Sequence, residues 1–170
     1  MRAAAALLTV AGIPIFETRI LPEWIDYNGH LRDAYYGLIV SLATDVLMDR
    51  VGLDAPYRAR TGCTLYTLEM HLHYLHEVLR SDTVAVSVRI EAADHKRIHA
   101  TFEMRRVGDP AIAASAEVML LHVRQTSDRV AAAPFPPEVN AALAQLQAAS
   151  AALPAEGPAS RRMGLRPPTS

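Results

Sequence analysis

Asp26 opens the run Asp26-Tyr27-Asn28-Gly29-His30, and the apolar spacing of a long helix begins a few residues later. A helix entrance carries unpaired N–H groups and partial positive charge. Glycine at position 29 lets the backbone approach a ligand closely. Such a place can hold a carbonyl oxygen as it becomes an oxyanion, with Gly29, His30 or Leu31 as the N–H donor. The Asp26 carboxylate beside it could act on the same carbonyl, as nucleophile or through a bound water. The competing reading is an Asx turn followed by an ordinary helix cap.

Other chemistries are poorly signalled. No GxSxG elbow, GxxxxGK[ST] loop, GxGxxG turn or HExxH pair occurs in the chain. Cys63 is the single cysteine, which excludes an internal disulfide and a multi-thiolate zinc site, and it reads as structural. His71, His73 and His76 raise the question of a metal. On a regular strand Glu69, His71 and His73 share a face while His76 falls on the other. Pocket or interface lining is the commoner use of such histidines, so no metal and no separate cofactor are expected.

The chain that must position Asp26 has 170 residues, enough for one domain. Seventeen basic against 18 acidic residues leave a net charge of -1, which gives nucleic acid no basic field to bind. Apolar residues make up 51% of the chain, too many for disorder, and no apolar run is long enough for a membrane span. Residues 1–14 read as an Ala-rich extension, at most a weak imitation of a secretory signal, and a cytoplasmic location is expected. Pro134, Pro136 and Pro137 break the chain at the other end. Residues 125–170 then hold a short helix over Glu138–Leu153, with Val139, Leu143 and Leu146 at helical spacing, and a Pro-rich tail.

Between them, residues 15–124 form the working domain. Ile15–Leu21 predicts a strand. Asp33 can cap a helix running to about Val51, whose Tyr36, Ile39, Val40, Ala43 and Leu47 make a buried stripe, with Gly52 ending it. Period-two segments follow at Leu65–Leu75, Thr83–Ile90, Arg97–Arg106 and Ala111–Val123. In the first of these, Tyr66, Leu68, Met70, Leu72 and Tyr74 should share one face, opposite Thr67, Glu69, His71 and His73. One helix and one antiparallel sheet of about five strands bury each other's apolar faces in an α+β domain. Its edge strand is best covered by a second copy, so a homodimer, or a tetramer built from such dimers, is expected.

The DxNGH element before a long helix and four strands resembles hot-dog-fold acyl-CoA thioesterases of the 4-hydroxybenzoyl-CoA thioesterase-like superfamily, a fold in which the sheet wraps one central helix. The wider pattern is PEWIDYNGHLRDAYY at Pro22–Tyr36, ATD at Ala43–Asp45, YTLEMHLHYLHEV at Tyr66–Val78 and DHKRIH at Asp94–His99. It is similar to the thioesterases of carnitine breakdown, which also occur fused to carnitine 3-dehydrogenase. The resemblance implies hydrolysis of betainyl-CoA to glycine betaine and CoA, with CoA entering only as part of the substrate. A non-catalytic acyl-CoA-binding protein and a hot-dog hydratase or dehydratase are the alternatives.

By the same resemblance Asp26 is the principal carboxylate, Gly29 marks the oxyanion-binding backbone, and Asn28 orients the water or the carbonyl. Glu69 would be a supporting carboxylate, catalytic or charge-binding, brought in across a dimer. A quaternary ammonium acyl group is held by aromatic faces and a carboxylate. Trp24, Tyr27, Tyr35, Tyr66 and Tyr74 are the aromatic candidates near the motifs, with Trp24 foremost. Lys96, Arg97 and Arg32 are the candidates for the CoA phosphates.

Overall fold

The computed structural model describes residues 12–154. Expectations for the Ala-rich start before Gly12 and the tail after Pro154 lie outside them. In chain order the elements are β1 (Ile13–Arg19), a 3-10 turn (Pro22–Trp24), α1 (Asp33–Arg50), α2 (Ala55–Thr61), β2 (Cys63–Tyr74), β3 (Thr83–Ala93), β4 (Arg97–Arg106), β5 (Ile112–Gln125), β6 (Val130–Ala132) and α3 (Pro137–Ala151). The sheet runs in the order β1-β3-β4-β5-β2, antiparallel throughout, with short β6 added to β5. It has six strands among the described residues, one more than expected, because β6 is too short to show a period.

α1 forms where the stripe places it. Tyr36, Ile39, Val40, Ala43 and Leu47 are all buried. Its far end closes as a Schellman motif: Leu53 N–H donates to Met48 O at 2.8 Å and Gly52 N–H to Asp49 O at 3.2 Å. Gly52 takes φ +86° there, a conformation costly for any residue with a Cβ. At the near end Asp33 is not the cap. It is the first helical residue, and the N-cap is Arg32, without a side-chain cap.

The sheet presents Val84, Val86, Val88 and Ile90 of β3, Ile98, Ala100, Phe102 and Met104 of β4, and Ala114, Ala116, Val118 and Leu120 of β5 to this helix, all 2% exposed or less. The alternation read from sequence is therefore the alternation of the core. α3 extends that core past Arg124: Phe135, Val139 and Leu143 belong to the same buried cluster. Ser150 Oγ accepts from Ile90 N–H at 3.0 Å and covers the stretch of β3 beyond its pairing with β1.

β2 departs from the predicted regularity. Its pairing with β5 shifts register between Thr67 and Glu69, which makes Leu68 a bulge. Ahead of the bulge, Leu65 and Thr67 pair with His122 and Leu120; after it, Met70, Leu72 and Tyr74 pair with Val118, Ala116 and Ala114. Cross-strand partners share a face. Tyr66 therefore joins Glu69, His71 and His73 on the outer face, while Tyr74 faces the helix. The expected grouping of Tyr66 with Tyr74 fails because one extra residue inverts the period.

His122 shows how polar groups enter this core. It is 1% exposed; its Nδ1 lies 2.9 Å from Ala133 O, so that nitrogen carries the proton, and Nε2 accepts from the Tyr57 hydroxyl at 3.0 Å. Burial pushes the imidazole below its ordinary 6.5. The unfolded chain thus takes up a proton near that value which the folded chain refuses, and stability is lost as pH falls below it. Thermal melts between about pH 7.5 and 5.5 should show a declining midpoint, and His122→Gln should flatten the slope. A slope unchanged in the variant would assign the effect to other groups.

Candidate active site

Asp26 sits in a tight turn that ends in two short bridges, Ile25 to Leu31 and His30 to Leu79. The second bridge ties the turn to the connection between β2 and β3. Asp26 N–H donates to His30 O at 2.8 Å and Gly29 N–H to Asp26 O at 3.1 Å; Gly29 has φ +85°. The Asn-Gly pair supplies the left-handed step that this closure needs. Asp26 Oδ1 accepts from Asn28 N–H at 2.8 Å and from His30 N–H at 3.1 Å. The bond from the His30 amide above all, then that from Asn28, holds the carboxyl below the ordinary aspartate value. The Asx turn and the candidate carboxylate are thus one structure. The turn orients Asp26 and keeps it ionised.

A cleft of about 380 Å³ opens beside it. Asp26, His30 and Leu31 form one wall, and Asp33 and Tyr36 of α1 the second. The third wall is Tyr74 at the end of β2 with Leu75, His76 and Glu77 beyond it. Tyr36 and Tyr74 meet edge to face, with ring centroids 5.2 Å apart and planes at 89°. His30 Nε2 lies 3.1 Å from Glu77 Oε2 and joins two walls.

The expected oxyanion donors are already engaged. Gly29 N–H goes to Asp26 O, His30 N–H to the Asp26 carboxylate, and Leu31 N–H to Val78 O at 2.7 Å. Closing the turn consumes all three amides. Ala34 N–H turns to its neighbour's Asp33 Oδ1 at 2.8 Å. The amide at this helix entrance with no acceptor among the described residues is that of Asp33, which lines the cleft.

The aromatic residues expected to form a cage are dispersed. Trp24 is buried and stacks on Tyr35 at 5.5 Å, with planes 20° apart, so the pair packs the turn against the helix. Tyr27 is 94% exposed and does not line this cleft. Tyr66 is on the outer face, where its hydroxyl accepts from Gln125. The rings that reach the cleft are Tyr36, which the helical stripe assigned to the core, and Tyr74. Tyr36 lies three residues after Asp33, and helical side chains lean toward the N-terminus; that spacing is the signal that places its ring over the first turn.

Glu69 is not in this cleft. It lies on the outer face with His71, whose Nε2 is 2.7 Å from Glu69 Oε1. A separate hollow of about 40 Å³ there brings in His99 and Glu117, themselves 2.6 Å apart. Among the described residues no group of three or more His, Cys, Asp or Glu is placed to hold a metal ion. Arg97 is committed to Asp94 through Nε at 2.8 Å and Nη2 at 2.6 Å. With Lys96 it occupies the β3–β4 hairpin, beside the Gln125 end of β5, whereas the cleft adjoins the opposite end, near Ala113. Arg32 alone of the expected phosphate ligands is close enough to stabilise the Asp26 charge. No described helix is long and apolar enough to cross a membrane.

The chain is similar to known proteins. A betainyl-CoA thioesterase of Pseudomonas aeruginosa is 45% identical over 152 residues, covering 89% of this chain and 94% of its own. A solved candidate thioesterase of Pseudomonas putida superposes with a TM-score of 0.79 at 38% identity, over 91% of this chain and 97% of that one. A hypothetical protein of Staphylococcus aureus, solved in complex with CoA, reaches the same TM-score at 26% identity and the same coverage. The family model described as the thioesterase-like superfamily matches residues 20–143, the stretch from the Asp26 turn through the sheet to α3. On that match, and on a sheet wrapped about one helix as in both solved neighbours, this chain belongs to the thioesterase-like superfamily with the hot-dog fold.

Proposed function

We propose that this thioester hydrolase cleaves betainyl-CoA to glycine betaine and CoA in carnitine breakdown, with Asp26 as the principal carboxylate. The observation that carries the substrate is the 45% identity, over nearly the whole of both chains, to a betainyl-CoA thioesterase. The chemistry rests on the Asp26 cleft. An ionised carboxylate takes a proton from a water held against it, and the water oxygen attacks the thioester carbon. The carbonyl oxygen gains negative charge at the helix entrance, where the unpaired Asp33 N–H is the donor of choice. The C–S bond then breaks, and the CoA sulfur leaves with the proton held by Asp26. Asn28 contributes its amide to the Asp26 carboxylate, and Arg32 is retained for a CoA phosphate.

A cytoplasmic homodimer is part of this reading. β2 is a long edge strand, and Tyr66 and Leu68 on it are exposed, an edge that a second copy of the chain can pair with and cover. The test is CoA release, followed with a thiol reagent, from betainyl-CoA and acetyl-CoA. Sustained release with betainyl-CoA preferred supports the proposal. Tight binding without release, or a preference for acetyl-CoA, overturns it.

A further inference from the structure

The acyl group of such a substrate places strict demands on the cleft. One methylene separates the reacting carbonyl from the quaternary nitrogen, so the group that holds the cation must share a cleft with Asp26. The cation cannot donate a hydrogen bond; it presents apolar methyls over a fixed positive charge. It is therefore best met by aromatic faces, aliphatic walls and a nearby carboxylate, with no competing ammonium or guanidinium.

The walls of the Asp26 cleft have this composition. Tyr36 and Tyr74 meet edge to face at 89° with centroids 5.2 Å apart, and together they form an aromatic corner in the lining of the cleft. The Tyr74 hydroxyl lies 3.4 Å from Asp33 O, which ties the corner to the first residue of α1. Leu31 and Leu75 supply aliphatic surface. Asp26, Asp33 and Glu77, the last beside His30, supply negative charge; His30 and His76 also line the cleft, and no Lys or Arg does so among the described residues. Arg32 lies outside this lining, and Arg106 is paired with Asp109.

Resting on the reading that thioester hydrolysis occurs at Asp26, we infer that the Tyr36–Tyr74 corner, backed by the Asp33 carboxylate, is the cation subsite that selects a quaternary-ammonium acyl group. Selectivity then arises from this corner and not from Trp24, which is buried against Tyr35, nor from Glu69 of the same chain, which faces the other side of the sheet.

The test compares betainyl-CoA with its neutral isostere, 3,3-dimethylbutanoyl-CoA, which has the same shape with carbon in place of nitrogen. The readout is the ratio of their kcat/KM values. The wild-type ratio should exceed about tenfold. Tyr74→Leu should lower it by about 3- to 30-fold, and Tyr74→Phe, which keeps the ring, should hold it near the wild-type value. Tyr74 is 55% exposed, so these variants should fold; Asp33→Asn, which keeps the backbone N–H, should lower the same ratio independently. Absence of turnover on both thioesters by the wild type would refute the Asp26 reading itself. Turnover of both with no preference, or a ratio unmoved by Tyr74→Leu and Asp33→Asn, would refute the cation subsite and leave hydrolysis standing.

Discussion

Asp26→Asn lowers kcat for CoA-thioester hydrolysis by about 10²- to 10⁴-fold while the protein remains folded, the range lost when a positioned acid–base group is removed. The amide keeps the shape of the carboxylate, and its oxygen can still accept from the Asn28 and His30 amides that hold Oδ1 at 2.8 and 3.1 Å. The turn therefore persists, and the loss reports chemistry more than unfolding. What disappears is the negative charge that those amides stabilise and the basicity that withdraws a proton from water. Melting temperature and circular dichroism should match the wild type. KM should change far less than kcat, because the cation corner at Tyr36 and Tyr74 is untouched. A variant with near wild-type turnover would remove Asp26 from the mechanism.

Phe102→Ala destabilises the protein by about 3–5 kcal/mol, the usual range for a large aromatic truncated in a closed core. Phe102 is 1% exposed on β4. It lies between Val88 of β3 and Ala116 of β5 in the register of the sheet. The small Ala116 beside it cannot fill the volume a benzyl group vacates. Against a typical total of about 5–15 kcal/mol, such a loss takes a large share of the folding free energy. Urea denaturation should show a lower midpoint with an unchanged slope. A change below about 1 kcal/mol would mean that the helix and sheet close over the vacancy more readily than such packing allows.

Most of this architecture is visible in the order of residues. The stripe from Tyr36 to Leu47 and the alternation of Val84, Val86, Val88 and Ile90 are each dictated by burial on one face, so pattern and structure coincide. The residues around Asp26 were legible for the same reason: Asn28-Gly29 demands a turn, and the turn delivers the carboxylate to a helix entrance. Residues escaped the reading where one local event changed their surroundings. The bulge at Leu68 moved Tyr66 off the face of Tyr74. α2 was missed because its seven residues, APYRART, bury only Tyr57 and show no stripe. The expected oxyanion amides were misjudged because a sequence shows which N–H groups begin a helix, not which of them the preceding turn has already used. Glu77 and His76 entered the cleft through the bridge from His30 to Leu79, a contact with no local signature.

The account turns on where the thioester binds. Among the described residues, hollows lie on opposite faces of the sheet, one at Asp26 and another at Glu69, His71, His99 and Glu117. The most direct measurement is a crystal structure of the Asp26→Asn variant soaked with betainyl-CoA. The account predicts the thioester carbon about 3–3.5 Å from the residue-26 side chain or from a water bound to it, with the quaternary nitrogen in the corner of Tyr36 and Tyr74. An acyl group seated instead in the hollow beside Glu69 and His71, with the Asp26 turn empty, would contradict it.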